Sequence, residues 1–307
     1  MIPAARSFGT WNWEVAEGVR SVIESANRLR LPRFTATVSF LRWLWRAGIF
    51  IVVLAGAAVL VARGAYPRLL YPAPRRDAFS PGDGRLLTTV ARDGVTVHAT
   101  QFLGPRSSPV IVYFHGNGVV MGDELWMAHE FLRRGLGVVL AEYRGYGLSS
   151  GSAAPSEPGL YEDAEAVLAL LAGQGIASER IALLGESLGT GVAAEMAARG
   201  HGSSLVLVAP FTSIPEVASR FAFGLPVRLL MRERFDTLAK SARVAVPVLL
   251  LHGTDDAIVP YAMSVMLAAR LRNARLITVS GGHHTDRFLG PGVGHFDDVA
   301  SFVKRSR

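Results

Sequence analysis

The chain has 307 residues, half of them apolar, with 32 glycines and a formal net charge of +7. That is enough for one large globular domain plus an appendage, and it excludes a disordered or low-complexity protein. The absence of cysteine excludes disulfide staples, thiolate zinc sites and a cysteine nucleophile. A pI of about 10.2 raises nucleic acid as a partner, but the basic residues are scattered arginines, Lys240 and Lys304 being the only lysines. With no nucleic-acid motif present, no nucleic-acid partner is expected.

Residues 1–38 form a basic segment with no core pattern. Within it "EVAEGVRSVIESANRLR" has apolar residues at roughly helical spacing and reads as a helix on a membrane surface. An exposed helix or an over-extended gene start accounts for it equally. Residues 39–71 read as a transmembrane anchor with its flanks. Ala47 to Ala62, "AGIFIVVLAGAAVLVA", carries no charge and no strong polar group, and with its apolar neighbours it approaches the roughly 20 residues that cross a bilayer. Trp43, Trp45, Tyr66 and Tyr71 stand where interfacial anchors belong, and Arg42, Arg46 and Arg63 can snorkel. A buried helix of a soluble protein would show a polar face, and this one has none. About 46 residues precede the run and no small-x-small site follows it, which argues against a cleaved signal peptide. Arg28, Arg30, Arg33, Arg42 and Arg46 precede the span, and Arg63, Arg68, Arg75 and Arg76 follow it. The balance slightly favours a cytoplasmic N-terminus. The expected location is a bacterial inner membrane, spanned once, with the catalytic domain on the non-cytoplasmic side.

After a linker over 72–84, residues 85–307 change to short apolar runs alternating with helical patterns. "LLTTVARDGVTVHATQF", turning at Asp93-Gly94, predicts an antiparallel hairpin. "VIVYFHG", "GVVLAEYRG", "RIALLGES", "SLVLVAP", "PVLLLHG" and "ARLITVSGG" predict strands. "ELWMAHEFLRRG", "LYEDAEAVLALLAGQG", "LGTGVAAEMAARG" and "YAMSVMLAARLRN" predict the helices between them. The expected fold class is α/β, with a mostly parallel sheet covered on both faces.

"GESLGTG", Gly185 to Gly191, admits two readings. As G-x-S-x-G it is a nucleophile elbow; as Gly189-x-Gly191-x-x-Ala194 it is a variant dinucleotide fingerprint. The second requires its first glycine directly after the strand and an acid at the end of the next strand. Gly189 comes four residues after "IALLG", and "SLVLVAPFTS" ends without an acid, so no dinucleotide cofactor is expected. The first reading gains from the rule that functional groups gather at the C-terminal strand ends. Ser187, Asp256 and His284 each follow a different strand and occur in the chain order Ser, Asp, His. No cluster at metal-ligand spacing appears, so no metal is expected.

"YFHGNG", "EYRGYGLSSG", "LLGESLGTG", "FTSIPEVA", "PVLLLHGTDDAIVP" and "GGHHTD", in that order, resemble the α/β-hydrolase serine hydrolases. The set is similar to the single-span membrane-anchored subfamily, which includes acyl-protein thioesterases and lipid esterases, and to the serine-aminopeptidase-like hydrolases. The resemblance implies an α/β-hydrolase fold over 85–307 with Ser187 as nucleophile. It implies Asp256 as the acid, in His-Gly-x-x-Asp-x-x-Val-Pro, leaving Asp255 as a turn residue. It implies His284 as the base, in Gly-x-His-Asn-Asp with Thr285 for Asn, while His283 fits a shorter Gly-Gly-His pattern. His295 reads as structural. Backbone N–H groups of Asn117 and Leu188 form the expected oxyanion hole, and His115 braces the loop.

Tyr143 and Arg144 read either as pocket walls or as fixtures of a glycine-rich loop. Residues 211–240 read as a small helical lid, with Phe221, Phe223, Leu225, Leu229 and Met231 as acyl-chain contacts, or as a helix packed on the core. The expected function is a membrane-anchored serine hydrolase cleaving an ester or thioester through an acyl-enzyme. Its substrate is a small or acylated molecule, and membrane lipid is met through the N-terminal helix. The alternatives are a serine-aminopeptidase-like peptidase and a non-catalytic protein on a hydrolase fold.

Overall fold

The structure is a computed structural model that describes residues 13–28, 35–75, 80–149, 151, 153–222, 226–284, 286 and 294–306. The chain divides into two compact units, Met1–Leu60 and Val61–Arg307. The helices are α1 (Trp13–Arg28), α2 (Thr35–Leu70), α3 (Leu125–Arg133), α4 (Glu157–Gly173), α5 (Leu188–Ala198), α6 (Ile214–Ser219), α7 (Val227–Leu230), α8 (Thr237–Lys240), α9 (Tyr261–Arg270) and α10 (His295–Arg305). The strands are β1 (Arg85–Val90), β2 (Thr96–Phe102), β3 (Val110–Phe114), β4 (Gly137–Ala141), β5 (Ile181–Glu186), β6 (Ser204–Val208), β7 (Val248–Gly253) and β8 (Ala274–Val279).

Within the first unit, α1 exposes Val19 and Val22 to solvent. The stretch Arg42–Leu70 of α2, with a mean hydropathy of 2.3, is long and apolar enough to cross a membrane. At 1.5 Å per residue it spans about 43 Å, more than the roughly 30 Å hydrocarbon core of a bilayer. Its aliphatic side chains face outward, Val52 being 70% and Leu60 71% exposed. A core helix of a soluble protein would bury them.

Among the described residues of the second unit, one eight-stranded sheet has the order β1-β2-β4-β3-β5-β6-β7-β8. The predicted hairpin is β1–β2, turning at Asp93-Gly94 with Gly94 at φ 87°, where glycine avoids a Cβ clash. β2 joins β4 antiparallel, and every later pair is parallel. β3 to β7 are covered on both faces, so they read as unbroken apolar runs instead of alternating ones. Their side chains still alternate between two cores. Val110, Val112 and Phe114 join α4, α5 and α9 on one face. Ile111 and Tyr113 join α3 and α10 on the other.

The unit boundary falls inside α2. Residues 61–71, read from composition as anchor and flank, belong with the sheet-bearing unit. Apolar length marks a segment as non-aqueous, but it does not say which neighbour its final turns pack against.

Candidate active site

The edge formed by the C-terminal strand ends carries the polar cluster. Ser187 lies between β5 and α5 at φ 49°, ψ −115°, a backbone region that costs a non-glycine residue roughly 1–3 kcal/mol. Surrounding bonds hold it there: its N–H donates to Val208 O at 2.9 Å, and Thr190 N–H donates to Ser187 O at 3.0 Å. Both flanking glycines are steric requirements. A Cβ on Gly189 would stand 2.0 Å from Phe114 O, and one on Gly185 would stand 2.3 Å from Gly189 O. The turn therefore lifts the serine hydroxyl clear of the sheet and leaves Leu188 N–H at a helix N-terminus, where partial positive charge accumulates.

Ser187 Oγ is 3.1 Å from His284 Nε2, and His284 Nδ1 is 2.7 Å from Asp256 Oδ2. Because Asp256 only accepts, Nδ1 carries the proton in the neutral ring and the Nε2 lone pair faces the serine. Asp256 is held from several sides. Its Oδ1 accepts from the N–H groups of Ile258 and Val259 at 2.9 and 2.7 Å. Its Oδ2 also lies 3.1 Å from His252 Nε2. Since Nε2 of His252 is also 3.0 Å from the carbonyl of Val259, that nitrogen is the protonated one. Burial alone would raise the Asp256 carboxyl. Hydrogen bonds from His252 and His284 outweigh burial and hold it well below the usual carboxylate range. His283 faces elsewhere: its Nδ1 lies 3.0 Å from Asp255 O, and its N–H donates to Asp286 Oδ2 at 2.8 Å. The structure thus brings His284, not His283, to Ser187.

Asp256→Asn is expected to lower any turnover that depends on Ser187 by roughly 10⁴-fold, because the amide no longer stabilises a charged imidazole or fixes its tautomer. The same change alters acid stability. A carboxylate depressed by folding stabilises the fold above its ordinary pKa of 3.8, and that contribution is lost as the pH falls through the lowered folded value. The gap in thermal midpoint between wild type and Asp256→Asn should therefore be widest near pH 6 and shrink progressively below about pH 4.

The loop after β3 faces the elbow. A side chain at Gly116 would begin 3.5 Å from Ser187 Cβ. Asn117, next in line, lies with its Oδ1 3.4 Å from the Tyr146 hydroxyl. His115 underpins this loop. Its Nδ1 is 2.9 Å from Gly116 O, and its Nε2 stands 2.9 Å from Glu142 Oε1, both side chains fully buried. That separation is an ion-pair distance without hydrogen-bond alignment. Tyr143 is 1% exposed and donates to His115 O at 3.1 Å. Arg144 is buried against Asp163, with its head group also on Asp93. Neither is a pocket wall, because both turn into the core, and both occupy the place of loop fixtures. His295 opens α10, with its ring 3.4 Å from Asp298. Phe221 and Met231 line an apolar groove beside α6 and α7, and Leu229 is 75% exposed. Phe223 and Leu225 lie outside the described residues.

The second hold on Asp256, from His252, and the His115–Glu142 contact were not anticipated as interactions. "LHGTDD" and "YFHGNG" contain the histidines, but nothing in either string says which acid each one meets.

A family model described as "Serine aminopeptidase, S33" matches residues 105–235, and one described as "TAP-like protein" matches 231–293. An uncharacterized protein of Mycobacterium tuberculosis is 32% identical over 262 residues, covering 82% of this chain and 92% of the relative. Alpha/beta hydrolase domain-containing protein 17B of Homo sapiens is 32% identical over 190 residues, 59% of this chain and 62% of its own length. Among solved structures, the Pyrococcus furiosus esterase Pf2001 superposes with a TM-score of 0.65 at 17% identity, over 77% of this chain and 98% of that one. A Mycobacterium tuberculosis puromycin-hydrolyzing peptidase superposes with a TM-score of 0.60 at 24% identity, over 73% of this chain and 39% of that one. At these identities the structural likeness shows the fold alone.

Proposed function

Since the chain belongs to the α/β-hydrolase family, we propose that it is a membrane-anchored serine hydrolase cleaving an ester or thioester of an acyl chain or lipid. The observation that carries this reading is the line Ser187 Oγ, His284 Nε2, His284 Nδ1, Asp256 Oδ2, with gaps of 3.1 and 2.7 Å, built on a strained elbow. Ser187 attacks the carbonyl carbon while His284 Nε2 takes its proton, and Asp256 stabilises the imidazolium. The carbonyl oxygen, now negative, accepts from the N–H groups of Asn117 and Leu188. Collapse expels the alcohol or thiol, which takes the proton from His284 and leaves an acyl-Ser187. Water, deprotonated by His284, then attacks the acyl carbon, and the carboxylic acid leaves as Ser187 regains its proton.

The outward-facing aliphatic stretch Arg42–Leu70 supports anchoring, and the arginine balance across it supports a catalytic domain on the non-cytoplasmic side. A peptidase is the second reading, favoured by the serine-aminopeptidase family model over residues 105–235. Turnover of acyl esters, acyl thioesters and aminoacyl amides by wild type and Ser187→Ala separates the readings. Ester and thioester turnover should exceed amide turnover and vanish in the variant. Dominant amide turnover would make the protein a peptidase. Wild-type rates in Ser187→Ala on every substrate would remove the mechanism, and a folded wild type that neither turns over nor reacts with a fluorophosphonate would be a binding protein.

A further inference from the structure

The last turns of α2 help to build a groove inside the second unit. Ala65, Leu69 and Leu70 from the helix and Val217, Phe221 and Met231 from the segment between β6 and β7 line a cavity of about 490 Å³. Its volume lies in the roughly 300–1,000 Å³ range of small-ligand sites. Leu69 is 80% and Phe221 55% exposed, so the groove is open along its length. Tyr66 fastens the two walls together: its hydroxyl accepts from Arg232 N–H at 2.9 Å and donates to Glu233.

Each wall continues toward one side of the nucleophile. Beyond Leu70 the chain runs along the loop that holds Asn117: Pro72 Cγ lies 3.6 Å from the Cβ position of Gly118, and Pro74 O accepts from Gly147 N–H at 2.9 Å. The other wall starts at the strand beside the elbow, where Val208 O receives the Ser187 N–H, and enters α6 at Ile214, itself part of the groove lining. It returns through Phe235, whose ring lies 2.8 Å from the Cβ position of Gly191 in α5. The two walls of the groove therefore lead, along the chain, to the two loops that carry Asn117 and Ser187.

Resting on the hydrolase reading above, we infer that the groove holds the acyl chain of a lipid substrate taken from the leaflet in which α2 ends. The end of the anchor is then part of the substrate site. Continuity argues for a lipid of that leaflet over an acylated molecule in water: Ala65, Tyr66, Leu69 and Leu70 belong both to the membrane-length stretch Arg42–Leu70 and to the groove. A chain moving along the helix surface reaches the groove without crossing water, which apolar chains avoid.

The test uses full-length protein in phosphatidylcholine vesicles, with one groove-filling variant on each wall, Ala65→Trp and Val217→Trp. For p-nitrophenyl acetate, whose two-carbon acyl group is too short to fill the groove, kcat/KM should fall much less than for a long chain. For an acylglycerol of about twelve carbons dissolved in the bilayer, it should fall by about 10-fold or more. An unchanged long-to-short ratio in both variants overturns the inference. So does a loss confined to the same chain carried on a water-soluble peptide. Binding of a fluorescent fatty acid to the Ser187→Ala protein supplies a readout independent of turnover. Ala65→Trp should weaken it about 10-fold or more, and unaltered binding counts against the groove. Acetate turnover surviving in Ser187→Ala would instead remove the hydrolase reading and leave the binding measurement standing.

Discussion

Single replacement of Ser187 or His284 by Ala is expected to lower kcat/KM for an acyl ester by roughly 10⁴- to 10⁶-fold, and double replacement by no more than either alone. The non-additivity follows from the geometry. His284 Nε2 has one task in the attack, removing the proton from an oxygen 3.1 Å away, and it has nothing to deprotonate once that oxygen is gone. His283→Ala, one residue earlier, should change the rate less than about 10-fold, since its ring meets a backbone carbonyl and not the serine. A steady-state cycle of these variants on one short-chain ester is sufficient. Equal losses at His283 and His284 would contradict the tautomer and the relay assigned to His284, as would multiplicative losses for Ser187 and His284.

The largest expected stability effect lies away from the chemistry. Asp163 on α4 is 1% exposed and takes three kinds of hydrogen bond from Arg144: from the backbone N–H at 2.8 Å, from Nε at 3.0 Å and from Nη2 at 2.8 Å. Asp163→Ala leaves the guanidinium buried without its main counter-charge, which costs about 3–5 kcal/mol. For a unit of this size that lowers the thermal midpoint by about 10 °C. Asp93, the other partner of Arg144, has a side chain 43% exposed, and Asp93→Ala should cost less than about 1 kcal/mol. Replacing Arg144 and Asp163 together by Leu should be less damaging than Asp163→Ala, because the expensive object is an unpaired buried charge. Thermal unfolding of the four proteins in one detergent distinguishes these cases. Equal losses for Asp93→Ala and Asp163→Ala would show that burial is not what sets the cost.

What could be read from the sequence tracks how local the responsible physics is. β3 to β7 were legible because strands buried on both faces must be apolar throughout. The hairpin was legible because Asp93-Gly94 suits a tight turn. Ser187, Asp256 and His284 were legible as candidates because strand ends in such a sheet share one edge, so three distant residues acquire a common address. Interactions that depend on how a ring is turned were not. His252 reaches Asp256 across one loop, His115 reaches Glu142 across 27 positions, and no periodicity encodes either. Tyr143 shows the same limit: an aromatic beside a glycine turn fits a pocket wall and a core equally well until the face it occupies is known. Ala65 to Leu70 read as plain anchor, since a lipid-facing residue and a groove-lining one look alike in composition.

The order of the strands also bears on how such a protein can change over generations. Chain progression reverses between β3 and β5, so the loops leaving these neighbours diverge and the topology itself opens a crevice beside Ser187. The groups proposed to act there, the N–H of Asn117 and of Leu188, belong to the main chain, which every replacement except proline leaves in place. The walls of the apolar groove come from elsewhere: the end of α2 and the excursion between β6 and β7. Lengthening, shortening or exchanging that excursion leaves the Ser187–His284–Asp256 line untouched, so heredity can reshape the groove while conserving that line.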